Sequence, residues 1–174
     1  MKSQFEKAVE LDYSNIDARA GLAQYYLMAP GIMGGDINKA IEQANIVIKY
    51  NEIRGRSMLA EIYVRQKDMK KAENEFVQLE KKIGDDKKYY SFYNSYGYFL
   101  LSQGRVDEAI SKFKKQIQLA PDNANSYDSI GEAYLKKGML KEALAEYNHA
   151  LQIDPNFKSS QEKVKEIREK LNQK

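Results

Sequence analysis

YDSIGEAYLKKGMLKEALAEYNHALQIDP, residues Tyr127 to Pro155, reads as two helices joined by a tight turn. Ile130, Ala133 and Tyr134 recur at helical spacing until Gly138 interrupts the run. Leu140, Ala143, Leu144, Tyr147, Ala150 and Leu151 then share a face, and Asp154-Pro155 stops the second helix. Sliding the chain against itself by 34 residues places Tyr93, Tyr96, Gly97, Leu100, Gly104, Ala109, Phe113 and Pro121 on Tyr127, Ile130, Gly131, Tyr134, Gly138, Ala143, Tyr147 and Pro155. Small residues fall on small, large apolar on large apolar, and breakers on breakers. The unit is therefore an internal repeat. Gly131 and Ala143, almost without side chains, allow the two helices to approach closely, and one such hairpin cannot bury its apolar face alone, so hairpins must stack.

A 34-residue helix-turn-helix unit with these slots resembles the tetratricopeptide repeat (TPR) of bacterial type, with Tyr127, Ile130-Gly131, Tyr134, Ala143, Tyr147 and Pro155 in its Trp, Leu-Gly, Tyr, Ala, Phe and Pro positions. The resemblance implies an all-α fold: a right-handed α-solenoid of stacked helix-turn-helix hairpins with a C-terminal capping helix, forming a single domain over 1–174. Residues 3–15 read as a half repeat, with Phe5, Ala8 and Leu11 in second-helix spacing and Tyr13 in the proline slot. Full repeats follow at 16–52, 53–89, 90–123 and 124–157, and 158–174 forms the cap. In 16–52 the inter-helix segment 29–36 is about five residues longer than the usual turn. Its Pro30-Gly31 and Gly34-Gly35 are turn punctuation, and Asp36 is positioned as an N-cap. The longer segment reads either as a turn packing Ile32 and Met33 onto the hairpin or as a contact loop. It follows a helix and lacks a following Lys-Ser/Thr, so it is no phosphate cradle.

Composition narrows the function. The 174 residues are 43% hydrophobic and 30% charged, with three prolines, which suits a soluble helical protein. No apolar run approaches a membrane span of roughly 20 residues. The acidic N-terminus MKSQFEKAVELD is not a signal peptide, and cytoplasmic and periplasmic locations both stay open. A start in mid-repeat suggests a piece of a longer protein. The net charge of +3 lies in the tail, where six Lys/Arg stand against three Glu from Lys158 onward. No basic stripe marks a nucleic-acid face. Without cysteine, and with His149 as the only histidine, there are no disulfides, thiolate chemistry, catalytic triad or usual zinc site. His149 reads as a surface or boundary residue. Ser111 to Lys114 and Ser160 to Lys163 match Ser-x-x-Lys without the motifs that accompany it in penicillin-binding proteins. No enzyme, metal or cofactor is expected.

The resemblance implies a non-catalytic interaction module or scaffold binding a peptide or protein surface in a concave groove lined by the first helix of each repeat. The inward set is Asp17, Ala20, Gln24, Met28, Arg54, Ser57, Glu61, Arg65, Ser91, Asn94, Tyr98, Ser102, Asn125, Asp128, Glu132 and Lys136. Gln24, Arg54, Glu61, Arg65, Asn94, Tyr98, Asp128 and Glu132 are the expected partner contacts, and Tyr98 is expected to be exposed. The carboxylate clamp by which some relatives hold chaperone tails needs Lys, Arg and Asn at slots occupied here by Ala20, Gln24, Met58, Ser91 and Ser95, or one repeat later by Ser57, Glu61, Ser95, Asn125 and Ser129. Neither set offers a cation to a carboxylate. Two other readings remain. The segment resembles TPR tails appended to bacterial serine hydrolases, which would make it a regulatory or targeting tail. It could also self-associate through an exposed face of Phe5 and Val9 on the open half repeat.

Overall fold

A computed structural model describes residues 1–172, so the last two residues of the expected cap lie outside the described part. The described residues form ten α-helices: α1 (Lys2–Leu11), α2 (Ile16–Met28), α3 (Ile37–Tyr50), α4 (Glu52–Arg65), α5 (Met69–Ile83), α6 (Tyr90–Ser102), α7 (Val106–Leu119), α8 (Ala124–Lys136), α9 (Leu140–Ile153) and α10 (Lys158–Asn172). Short 3-10 turns cover Gly31–Met33 and Lys87–Tyr89. The chain divides into two compact units, Met1–Gly84 and Asp85–Lys174.

In the first unit α1 lies on α2, and the hairpins α2/α3 and α4/α5 stack through α3 and α4. Leu22, Tyr26, Leu27, Ala40, Ala44, Leu59 and Ile62 form its core, with Phe5, Val9 and Tyr25 packed around them. Side chains start these helices. Asn15, Asp36, Asn51 and Asp68 accept from backbone N–H groups of the first turns of α2, α3, α4 and α5, which satisfies donors that a helix leaves unpaired at its start.

In the second unit the hairpins α6/α7 and α8/α9 stack through α7 and α8, and α10 closes on α9. Ala143, Tyr147, Val164 and Ile167 make the core under α10. Ala124, Tyr127 and Ala150 pack with Ile117, Ile153 and Phe157. The small slots have the expected purpose. A Cβ on Gly97 would lie 2.7 Å from Cζ of Phe113, and one on Gly131 would lie 3.0 Å from Cε1 of Tyr147.

The inter-helix turns share one geometry. In α4/α5, α6/α7 and α8/α9 a residue of the turn enters the left-handed region, at Lys67 (φ 60°), Gly104 (φ 73°) and Gly138 (φ 82°). The following N–H groups of Asp68, Arg105 and Met139 return to the carbonyls of Tyr63, Leu100 and Tyr134. Glycine enters that region without strain, but lysine does not. The α2/α3 connection is different. Met33 and Gly35 N–H bond to Pro30 O, Gly34 N–H to Gly31 O and Asp36 N–H to Tyr26 O, and the Tyr25 hydroxyl donates to Met33 O. The segment is held, yet Ile32 at its tip is 99% exposed and Met33 is also exposed. Of the two readings of this segment, the turn that packs Ile32 and Met33 back onto the hairpin is not formed, and both side chains face solvent.

Phe5 and Val9 do not form an exposed face. Both are half-buried against the first unit's core, because the second-helix stripe that carries them is the only apolar face α1 can lay on α2. Three atoms of the Phe5 ring crowd the place a Gly21 side chain would occupy.

Candidate interaction faces

In the second unit, α6 and α8 present polar residues at helical spacing. Ser91, Ser95, Ser102, Asn125, Glu132 and Lys136 are exposed or half-exposed, while Asn94 and Tyr98 are half-buried. Side chains bond across the seam between the two helices. Ser129 Oγ donates to Asn94 Oδ1 at 2.8 Å, and the Tyr98 hydroxyl donates to Glu132 Oε2 at 3.0 Å. The Tyr98 ring stands edge-on to Phe113, with centroids 5.3 Å apart.

Tyr98 is therefore not the freely exposed aromatic the sequence suggested. It lies at slot 9 of its repeat, close enough to the Phe113 slot for the ring to lean on the core while its polar tip reaches α8. Burial pushes its phenol up to about 12, and the neighbouring Glu132 charge acts in the same direction. The hydroxyl is thus a fixed donor at neutral pH.

Asp128 also departs from the expected open groove. Only 8% exposed, it accepts from Ser160 Oγ at 2.6 Å through Oδ1 and from Ser159 Oγ at 3.2 Å through Oδ2. Burial raises its pKa, and the two serine bonds oppose that shift. Its carboxyl anchors the start of α10, so α10 covers it. Lys163 and Lys170 on α10 both bond to Glu166, which holds that carboxyl down to about 2.

In the first unit Gln24, Arg54, Glu61 and Arg65 are exposed. Arg54 Nη2 sits 3.2 Å from Asp17 Oδ1, which ties α4 to α2 along the same side. These residues are brought onto the first helices of successive hairpins, as their spacing implied.

The arginines at slot 4 escaped the sequence reading. Where the second unit has Tyr93 and Tyr127, the first has Arg19 and Arg56. Arg56 bonds to Glu52 at 3.0 Å and Glu75 at 2.9 Å. Arg19, 2% exposed, donates to Tyr13 O at 2.7 Å and Gln43 Oε1 at 2.8 Å beneath the Tyr13 ring, and its Nη2 has no partner. Comparison of slot 4 across the repeats would have revealed the substitution, since a buried slot filled by arginine demands polar partners. His149 lies over the Tyr127 ring with centroids 3.9 Å apart.

Among the described residues no group of three His, Asp or Glu could hold a metal ion, and no helix is long and apolar enough to cross a membrane.

Comparisons with known proteins agree with the helical-repeat fold. Residues 90–156 match the tetratricopeptide repeat family model. Among solved structures, YrrB, described as a TPR protein with an unusual peptide-binding site, superposes with a TM-score of 0.66 at 22% identity over 94% of this chain and 81% of its own. TTC0263 from Thermus thermophilus, a thermophilic TPR protein, gives 0.66 at 22% identity over 95% and 88%. The first TPR of Spaghetti (RPAP3), bound to the HSP90 peptide SRMEEVD, gives 0.58 at 16% identity over 65% and 87%. At these identities the likeness concerns the fold. No curated protein matches in sequence.

Proposed function

We propose that this chain, which matches the tetratricopeptide repeat family model over residues 90–156 and shares the fold of tetratricopeptide repeat proteins, is a non-catalytic interaction scaffold that binds a peptide or protein surface along the first helices of its hairpins. On the second unit the ligand chemistry that fits is an extended, largely uncharged peptide main chain. The observation that carries this is the α6/α8 face, a row of hydroxyls and amides in which Ser91, Asn94, Ser95, Ser102 and Asn125 outnumber the charged Glu132 and Lys136. Ser129 occupies Asn94 Oδ1 and leaves its amide donors for a ligand carbonyl, and the Tyr98–Glu132 bond holds the aromatic edge of the row in place.

An acidic tail would meet no compensating cation array there. Lys136 approaches the Leu101 carbonyl and is a single charge at one end of the row. The first unit offers Gln24, Glu61 and Arg65 as a separate, mixed-charge face.

Panning a random peptide library on the protein and measuring the selected sequences by calorimetry tests the reading. Glu132→Lys and Asn94→Ala should each weaken binding at least about tenfold, the equivalent of 1.4 kcal/mol. Reversal of the outer-helix charges Lys114 and Lys141 should leave binding unchanged. Equal losses from both sets, or none from the first, would remove the α6/α8 face as the site.

A further inference from the structure

The α8 side of the α6/α8 row carries negative charge that the chain does not balance. Glu132 is exposed, and the Tyr98 hydroxyl donates to its Oε2 at 3.0 Å. Among the described residues Glu132 has no ion pair, and its Oε1 has no hydrogen-bonding partner. Lys136, one turn further along α8, is the usual helical partner for a glutamate, yet its Nζ lies 3.5 Å from the Leu101 carbonyl oxygen of α6. Lys163 of α10 is bonded to Glu166 at 2.9 Å. Its pKa is raised, first by that bond and further by the charge of Glu132, so the two side chains are within electrostatic reach. Glu166 also takes Lys170, at 2.6 Å. One carboxylate of α10 therefore holds two cations while Glu132 holds none.

Asp128, one turn before Glu132, adds a second carboxylate without an ion pair, held by the neutral hydroxyls of Ser159 and Ser160. Burial pushes up the phenol of Tyr147 in the core, and the charges of Asp128 and Glu132 push the same way. Both carboxylates thus act on one neighbourhood. Glu132 also differs from a freely rotating surface glutamate, because a fixed donor restrains one of its oxygens. The Tyr98 ring leans on Phe113, and its phenol, pushed up to about 12 mainly by burial, stays protonated at neutral pH. The side-chain order that an incoming cation would otherwise have to impose is already present.

We propose that Glu132 is the residue by which the α6/α8 face selects its ligand: the bound peptide carries one lysine or arginine whose cationic head bonds Glu132 Oε1, with Tyr98 as the positioning residue. This rests on the peptide-binding reading of that face and adds a side-chain requirement to it. The Asn94 amide takes a main-chain carbonyl of the same peptide, and the hydroxyls of the row tolerate uncharged residues elsewhere. A bond between an ammonium or guanidinium group and a carboxylate is about twice as strong as a neutral one. An acidic residue at the same position would meet two like charges, so the face discriminates by repulsion as well as by attraction.

The test selects a random peptide display library in parallel on the natural protein and on Glu132→Lys, a change at an exposed position whose fold circular dichroism verifies. Peptides from the natural protein should share one Lys or Arg, and those from Glu132→Lys should carry Asp or Glu in its place. A synthetic peptide of the first kind, with its basic residue kept or replaced by glutamine, is then measured by calorimetry. The proteins compared are the natural one and Glu132→Gln, which keeps an acceptor for Tyr98 and removes only the charge. Replacement in the peptide should lower affinity at least about tenfold on the natural protein and less than about twofold on Glu132→Gln. Tyr98→Phe should narrow the preference for the basic peptide over the glutamine peptide, which a loss of packing alone would not do. Selected peptides without a shared basic residue, or losses that simply add in the cycle, overturn the proposal. If Asn94→Ala still weakens those peptides, the α6/α8 face stands and only the role of Glu132 falls. If Asn94→Ala has no effect on them, or no peptide is enriched, both readings fall.

Discussion

Two glycines in the same slot of successive repeats should respond differently to alanine. In a helix interior Gly→Ala by itself stabilises by about 1 kcal/mol. At Gly131 the new methyl would meet the Tyr147 ring at 3.0–3.1 Å, a few tenths of an ångström too close, so gain and strain should cancel to within about 0.5 kcal/mol. At Gly97 the methyl would come to 2.7 Å from Cζ of Phe113 and nearer still to Cε1. Phe113 is 0% exposed and cannot withdraw into solvent. Overpacking of this kind costs about 1–3 kcal/mol, and a contact this short belongs to the upper part of that range, leaving a net loss of about 1.5 kcal/mol after the helix gain. For a chain of this length that lowers the melting midpoint by roughly 4 °C. Urea and thermal unfolding followed by far-UV circular dichroism measures both variants, and Phe113→Leu, which shortens the obstructing ring, should recover part of the Gly97→Ala loss in a double-mutant cycle. If Gly97→Ala proves no less stable than Gly131→Ala, close approach is not what places glycine in this slot.

Other outcomes follow from single residues. Lys67 holds a positive φ that Gly104 and Gly138 hold in the equivalent turns, so Lys67→Gly should raise stability by about 0.5–1 kcal/mol in urea unfolding, and a loss would mean the lysine's turn is not strained. Arg56→Met leaves the nearly buried Glu75 without its main partner and should cost about 2–3 kcal/mol, less than for a fully buried pair because the guanidinium is partly solvated; Arg56→Met with Glu75→Leu should restore much of it. Burial raises the Asp128 pKa, so folding favours the protonated carboxyl, and its stabilising contribution is complete in acid and lost as pH rises through the raised value. Asp128→Asn keeps the acceptor and removes the charge, so its stability relative to the natural protein should improve between about pH 4 and pH 7. A relative stability that falls over that interval would contradict the sign.

The helical plan was legible because the repeat states itself several times. The apolar stripe of Leu140, Ala143, Leu144 and Tyr147, the small residues Gly97 and Gly131, and the breakers Gly104 and Gly138 each carry a local physical demand that survives without knowledge of neighbours. The first helices' polar residues, Asn94, Glu132, Arg54 and Arg65 among them, could likewise be assigned to the polar face of their own helix from spacing alone. Tyr98 and Asp128 could not be assigned from their slots. Their exposure depends on which distant side chain arrives, the Phe113 ring and the Glu132 carboxylate in one case and the Ser159 and Ser160 hydroxyls in the other.

By itself, then, the sequence determined the repeat, the hairpins, their small-residue contacts and the grouping of polar residues on one side of each first helix, since all of these follow from periodicity and side-chain volume. Tertiary structure alone decided that α10 covers Asp128, that Arg19 and Arg56 take a tyrosine slot with polar partners from other elements, and that Ile32 is held out in water beside an apolar groove. The reason is the same in each case: burial and pairing are properties of the space between elements, and a sequence pattern read along one helix reports only the helix's own face.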